Sequence, residues 1–308
     1  MATRSLATLD PPVPWPTRLA RSTVFSDYWA LTKPEVNFLI VVTTFTGFYL
    51  ARAAGWRNFP FWLAIDALLG TVLVASGTGT LNQYLERDFD AQMRRTARRP
   101  LAAGRLQPAA VLWFGLALSV VGSVYLAVAV NVLASLLAIA TLLSYLLFYT
   151  PLKRKTPLCT LVGAFPGAMP PLIGWAAASG KLNLQAWTLY AMLFLWQFPH
   201  FMAIAWMYRK DYARAGYLVL PPDDYVRVRW VNLQTVLPLL ALVPLSLLPG
   251  LMGEAKVYFI GALLLGAGFL YYAAQFVLRR SNSAARRLLA TSIIYLPALF
   301  VVMVFGRG

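Results

Sequence analysis

The sequence predicts an all-α, polytopic membrane protein, a bundle of nine transmembrane helices with its N-terminus in the cytoplasm. Three observations predict it. Of 308 residues, 59% are hydrophobic and 12% charged, about half the charge of an ordinary soluble domain, and the mean hydropathy is +0.63. Apolar runs near bilayer-spanning length recur nine times along the chain. The basic residues fall almost wholly on alternate loops, as short cytoplasmic loops require. In lipid the backbone must pair with itself, so spans of this kind are helices.

Residues 1–27 are polar and rich in proline (Pro11, Pro12, Pro14, Pro16), without the apolar run of a signal peptide, and read as a cytoplasmic tail. The transmembrane domain is 28–308. Its spans fall at about 36–51, 61–81, 109–130, 132–149, 157–178, 186–207, 231–250, 257–277 and 288–305. Asn131 alone separates the third from the fourth, which implies a tight turn, and the first has room to continue back through Trp29.

With nine spans, 22 of the 27 basic residues lie on the inside. Arg52, Arg57, Lys181, Lys256 and Arg307 lie outside. A miscounted span would scramble this division, and topology then accounts for most of the net charge of +16 without nucleic acid as a partner. The single cysteine, Cys159, excludes an internal disulfide and receives no role. Asp66, inside the second span, is left open. Six of the 11 acidic residues cluster in two inside loops: Glu86, Asp88 and Asp90, then Asp211, Asp223 and Asp224. Topology does not ask for acids, so the clusters point to a polar site at the cytoplasmic mouth of the bundle.

Asn82, Glu86 and Asp90 stand at i, i+4 and i+8 and share an arc of roughly 80° on a helix. Such a stripe of oxygen ligands suits Mg²⁺, which combines carboxylates with phosphate oxygens and retained waters. Asp88 points elsewhere. A solvated helix end would show the same spacing, but Arg94, Arg95, Arg98 and Arg99 follow directly and supply the countercharge of a diphosphate. Composition alone also allows a transporter with an intramembrane anion site.

These residues resemble the intramembrane prenyltransferases of the UbiA superfamily, in its haem-modifying branch. The motif N-x-x-x-D-x-x-x-D reads Asn82, Glu86, Asp90 here. The extension Arg87-Asp88-Phe89-Asp90-x-x-Met93-x-Arg95-Thr96-x-x-Arg99-Pro100-Leu101 is similar to that of the haem branch. So are Leu31-Thr32-Lys33-Pro34, Tyr149-Thr150-Pro151-Leu152-Lys153-Arg154, the run 163–171, and Trp196 to Phe201 leading to Asp211-Tyr212. The resemblance covers about residues 28–305. Two departures stand out: Glu86 where the motif more often has Asp, and His200 where other branches place an acid.

The resemblance implies transfer of a farnesyl group from farnesyl diphosphate to a vinyl group of haem B with addition of water, giving haem O. Haem B is then a substrate and not a prosthetic group, and Mg²⁺ enters through the diphosphate. Asn82, Glu86, Asp90, Lys153 and Arg154 would form the catalytic set, with the first three as metal ligands. Lys153 and Arg154 would hold the leaving diphosphate, where negative charge develops. Arg87, Asp88, Arg95, Arg99, Tyr149, His200 and Asp211 would bind substrate. The lone histidine, inside the sixth span, is a candidate to face the porphyrin or to ligate its iron. Ring faces among the 10 Trp, 15 Tyr and 18 Phe could stabilise allylic cations. The implied setting is the inner membrane, multi-pass, with the active site toward the cytoplasm and a haem A synthase as a neighbour. A quinone precursor or chlorin acceptor is the alternative within the superfamily.

Overall fold

A computed structural model of the chain describes residues 23–52, 59–251 and 256–305. Among them nine helical segments are long and apolar enough to cross a membrane, and there is no strand. The helices are α1 (Val24–Leu31), α2 (Pro34–Ala51), α3 (Phe61–Asp90), α4 (Pro108–Tyr125), α5 (Val132–Leu143), α6 (Thr150–Leu152), α7 (Cys159–Gly167), α8 (Pro170–Ser179), α9 (Leu184–Met207), α10 (Arg209–Arg214), α11 (Asp224–Leu251), α12 (Lys256–Arg279) and α13 (Asn282–Phe305). Of the polar tail, residues 1–22 lie outside the described residues.

The first span does not run back through Trp29. Pro34 disfavours the right-handed helical region for the residue before it, and Lys33 adopts φ 53°, ψ 62°, which separates α1 from α2. At the third connection Asn131 is extended and its side chain accepts from the backbone N–H of Ala134, so one residue ends one span and caps the next. The third span finishes in π-helix at Leu126–Val130, and the fourth passes through π-helix at Ser144–Tyr149 before α6. The fifth span is two helices. Pro170 and Pro171 begin α8 afresh after α7 ends, as proline at a helix start allows.

The second span is longer than its apolar run. α3 continues nine residues beyond position 81 to Asp90. Its stretch from Ser76 to Gln83, apart from Leu81, is small or polar, and all of it is buried. Lipid tolerates such a stretch only when other helices surround it. One apolar core is shared by α2, α3, α5 and α8, a second by α9, α11, α12 and α13, and α2 and α8 contribute to both.

The α2–α8 crossing depends on glycine. A Cβ at Gly174 would lie 1.9 Å from the Thr44 carbonyl oxygen, and one at Gly47 would lie 2.1 Å from that of Pro171. Backbones approach this closely in membranes only across small residues. Gly174→Ala is therefore expected to destabilise the fold by about 1–3 kcal/mol or more through overpacking. Thermal unfolding in detergent checks this against Gly268→Ala, whose Cβ meets nothing within 4 Å.

Candidate active site

The stripe on α3 is buried in the bundle, with Asn82, Glu86 and Asp90 at 1%, 5% and 1% exposure. Buried charge requires partners, and each member of the stripe takes a cation from a different segment. Lys33 Nζ donates to Asn82 Oδ1 at 2.9 Å. Lys153 Nζ pairs with Glu86 Oε1 at 2.7 Å. Arg99 Nη1 pairs with Asp90 Oδ2 at 2.6 Å. Asn82 also donates to Thr150 Oγ1 at 3.3 Å, which ties α3 to α6.

Local structure explains how each cation arrives. Lys33 stands on the break between α1 and α2, and α3 pins that break: Gln83 and Thr80 donate to the Leu31 carbonyl at 3.0 and 3.4 Å. Asn37 donates to the Thr32 carbonyl and to Ser76. Left-handed backbone at a non-glycine residue costs about 1–3 kcal/mol and persists where surrounding structure imposes it. Burial, followed by the nearby Arg99 and Lys153 charges, pushes the Lys33 amine down to about 7. Lys153 follows α6. Burial disfavours its charge, but the paired Glu86 carboxylate outweighs that effect and holds it well above the usual lysine range. Arg99 sits in the 91–107 loop, where Thr96 Oγ1 donates to the Asp90 carbonyl. Arg105 clamps that loop to α1 by pairing with Asp27 at 2.9 Å.

Aromatic rings lie beside the same cations. Lys153 Nζ lies 4.5 Å from the Tyr149 ring centroid and 6.0 Å from that of Tyr145. The π-helical segment carries both rings, and Tyr149 packs directly over Gly163. Arg154 lies 4.2 Å over Phe89. Arg95 lies over Tyr208 and Tyr212 at 5.2 and 5.8 Å. The segment after α10 closes over Lys153, whose carbonyl accepts from Leu218 N–H at 2.7 Å. Tyr217 is buried there, and burial, then Glu86, raises its phenol above the usual range.

Other residues singled out from the sequence stand apart from the stripe. Asp88 is exposed and pairs with its neighbour Arg87 at 3.7 Å, while Arg87 also donates to the Tyr84 carbonyl. Asp211 pairs with Arg214 on α10. His200 lies against α13, with Nδ1 at 2.8 Å from Ser292 Oγ and its ring stacked on Trp196 at 4.7 Å. Asp66 accepts from Tyr125 at 2.6 Å. The sequence pattern gives no role to Lys33, Tyr145 or Tyr217. Pro34 signalled the break at Lys33, Tyr145 stands one helical turn before Tyr149, and nothing local marked Tyr217.

The donor set fits Mg²⁺ held jointly with a phosphate ligand. Each carboxylate commits one oxygen to a cation, and Asp90 Oδ1 is buried without a hydrogen-bond partner. Among the described residues no cluster of three His, Cys, Asp or Glu could hold a metal unaided. Mg²⁺ suits such a site because it keeps waters and shares one or two carboxylates with substrate phosphates.

A nine-span bundle with an acidic stripe, facing cations and aromatic rings at one end defines a class, and comparison with known proteins agrees. Residues 40–300 match the model of the UbiA prenyltransferase family. The chain belongs to that family, in its protoheme IX farnesyltransferase branch, and is an enzyme of that type. It is 47% identical to the protoheme IX farnesyltransferase of Solibacter usitatus, over 91% of this chain and 98% of the relative. With that of Koribacter versatilis it shares 41% identity, over 93% and 94%. Among solved structures, a digeranylgeranylglyceryl phosphate synthase has the same fold, with TM-score 0.74, 16% identity and coverage of 92% of this chain and 98% of that one. A UbiA homolog from Archaeoglobus fulgidus, bound to GPP and Mg²⁺, aligns with TM-score 0.62 and 16% identity over 90% and 99%.

Proposed function

We propose that the enzyme transfers farnesyl from farnesyl diphosphate to a vinyl group of haem B, with water added, at the end of the bundle where the α3 stripe meets Lys33, Lys153 and Arg99. The observation that carries this reading is that each stripe residue is paired with a cation from a separate segment. That arrangement offers metal ligands on one wall and phosphate ligands on the other. It is supported by the relatives named protoheme IX farnesyltransferase and by the GPP and Mg²⁺ of the Archaeoglobus neighbour.

Bound Mg²⁺ would supply charge neutralisation at the diphosphate oxygens, and Asn82, Glu86 and Asp90 would hold it. The C1–O bond of the farnesyl group breaks with its electron pair on the diphosphate. Lys153, Arg99 and Arg154 receive that negative charge, where fixed cations act most strongly, with the Lys33 amine a hydrogen-bond donor beside them. Tyr145 and Tyr149 present ring faces beside Lys153, suited to a transient allylic cation. The terminal vinyl carbon of haem B gives its π pair to C1, and water closes the resulting cation with loss of a proton. Residues 28–308 form the prenyltransferase domain. By sequence 22 of the 27 basic residues belong to the inside, and the loops that carry the described ones lie at the site's end of the bundle, so that side faces the cytoplasm of the inner membrane. A product this apolar suits direct transfer to a haem A synthase.

Purified enzyme in lipid nanodiscs, given labelled farnesyl diphosphate, haem B and Mg²⁺, is expected to yield labelled haem O by mass spectrometry. A labelled product only with a quinone precursor or chlorin, or transport without covalent product, would overturn the assignment. Lys153→Ala is expected to weaken farnesyl diphosphate binding by about 1.5–3 kcal/mol, the scale of a hydrogen bond to a charged group. Haem affinity should be unchanged in the same titration.

A further inference from the structure

α12 and α13 form an antiparallel hairpin whose outer face carries a groove of about 390 Å³, within the ~300–1,000 Å³ range of small-ligand sites. Leu264, Gly268 and Tyr272 line it from α12, and Arg287, Thr291 and Ile294 from α13. Leu264 and Ile294 are exposed, so the groove opens sideways, toward lipid. From Leu264 to Tyr272 it runs ~12 Å along the helix. Gly261 and Gly266 on the same helix abut Val302 and Val243, whereas a Cβ at Gly268 would meet nothing within 4 Å. That glycine leaves a slot open instead of allowing a helix contact.

The chemistry changes along the groove. Its outer part is aliphatic, and Arg287 stands at its inner mouth level with Tyr272, both about two turns or less from the hairpin loop. This is the active-site end, since Arg209 at the α9–α10 junction donates to Asn282 at 3.0 Å. There is no Asp or Glu from 256 to 305, while Arg279, Arg280, Arg286 and Arg287 gather at this one end. Among the described residues Arg287 makes no ion pair. The positive-inside rule asks for cations in the loop. It does not ask for one placed more than a turn into the helix, over an apolar slot.

We infer that this groove binds an anionic phospholipid, one acyl chain lying along Gly268 and the phosphate pairing with Arg287. An aliphatic chain fills the open slot and a guanidinium suits phosphate oxygens. Anionic lipids are also concentrated in the leaflet that basic helix ends face. This site is separate from the α3 stripe and does not depend on the reaction proposed there.

The test uses the full-length enzyme in phosphatidylcholine nanodiscs with a trace of photoactivatable phosphatidylglycerol, and adducts are mapped by mass spectrometry. Adducts are expected on the α12–α13 hairpin, competed by phosphatidylglycerol and not by added phosphatidylcholine. Arg287→Gln and Gly268→Leu should each lower that labelling about five- to tenfold, roughly the worth of one basic residue at a headgroup. Thermal stability is measured alongside, and Arg287→Lys should retain most labelling. Equal competition by the two lipids, or labelling unmoved in both variants, would overturn the proposal. So would competition by inorganic phosphate or farnesyl diphosphate in place of phosphatidylglycerol.

Discussion

Asp90→Asn is expected to lower turnover by about a hundred- to a thousandfold, the loss typical when one fixed electrostatic group of a reacting centre is removed. The substitution keeps the shape of the side chain. It removes the charge that pairs with Arg99 at 2.6 Å and exchanges the orphaned Oδ1 for a group that binds Mg²⁺ more weakly. Because Arg99 would then be a partly buried cation without its carboxylate, some loss of stability should accompany the loss of activity. Thermal unfolding separates the two. Haem O formation by the variant should stay depressed where folded yield matches wild type, and Mg²⁺-dependent binding of farnesyl diphosphate should fall with it. Cys159→Ala, at a buried thiol that makes no ion pair, should retain wild-type turnover. Retention of activity by Asp90→Asn at equal folded yield would remove the stripe from the mechanism.

The stripe was legible in the sequence because helical periodicity alone decides that Asn82, Glu86 and Asp90 share a face. The pairings that make it a site were not. Lys33 reaches Asn82 across 49 positions and Lys153 reaches Glu86 across 67, and no periodic pattern encodes contacts between distant segments. Hydropathy and basic asymmetry carried the nine-span count, but hydropathy placed the end of the second span at 81 because α3 goes on as buried polar helix to Asp90. In the same way Pro34 offered a reason to break the first helix. Only the structure shows that the break presents Lys33 to the site, held by Gln83, Thr80 and Asn37.

His200→Ala is expected to impair haem alkylation by at least tenfold while leaving Mg²⁺-dependent binding of farnesyl diphosphate close to wild type. The separation follows from geometry, since the partners of His200 are Ser292 and the Trp196 and Phe201 rings, and none belongs to the α3 stripe. The Ser292 hydroxyl lies 2.6 Å from the Leu289 carbonyl and 2.8 Å from His200 Nδ1. When its proton goes to Leu289, it accepts from Nδ1–H and leaves the lone pair on Nε2, the arrangement an imidazole needs to ligate iron or to accept a hydrogen bond. Optical and EPR spectra of the haem-loaded enzyme distinguish these roles. An iron ligand lost in His200→Ala should change the spin state or axial field. Ser292→Ala, which keeps the imidazole but releases its tautomer, should then give a mixture of the two spectra. Impaired alkylation with an unchanged haem spectrum would leave His200 packing against the macrocycle without ligating it. Normal haem O formation by His200→Ala would take the residue out of the substrate site altogether.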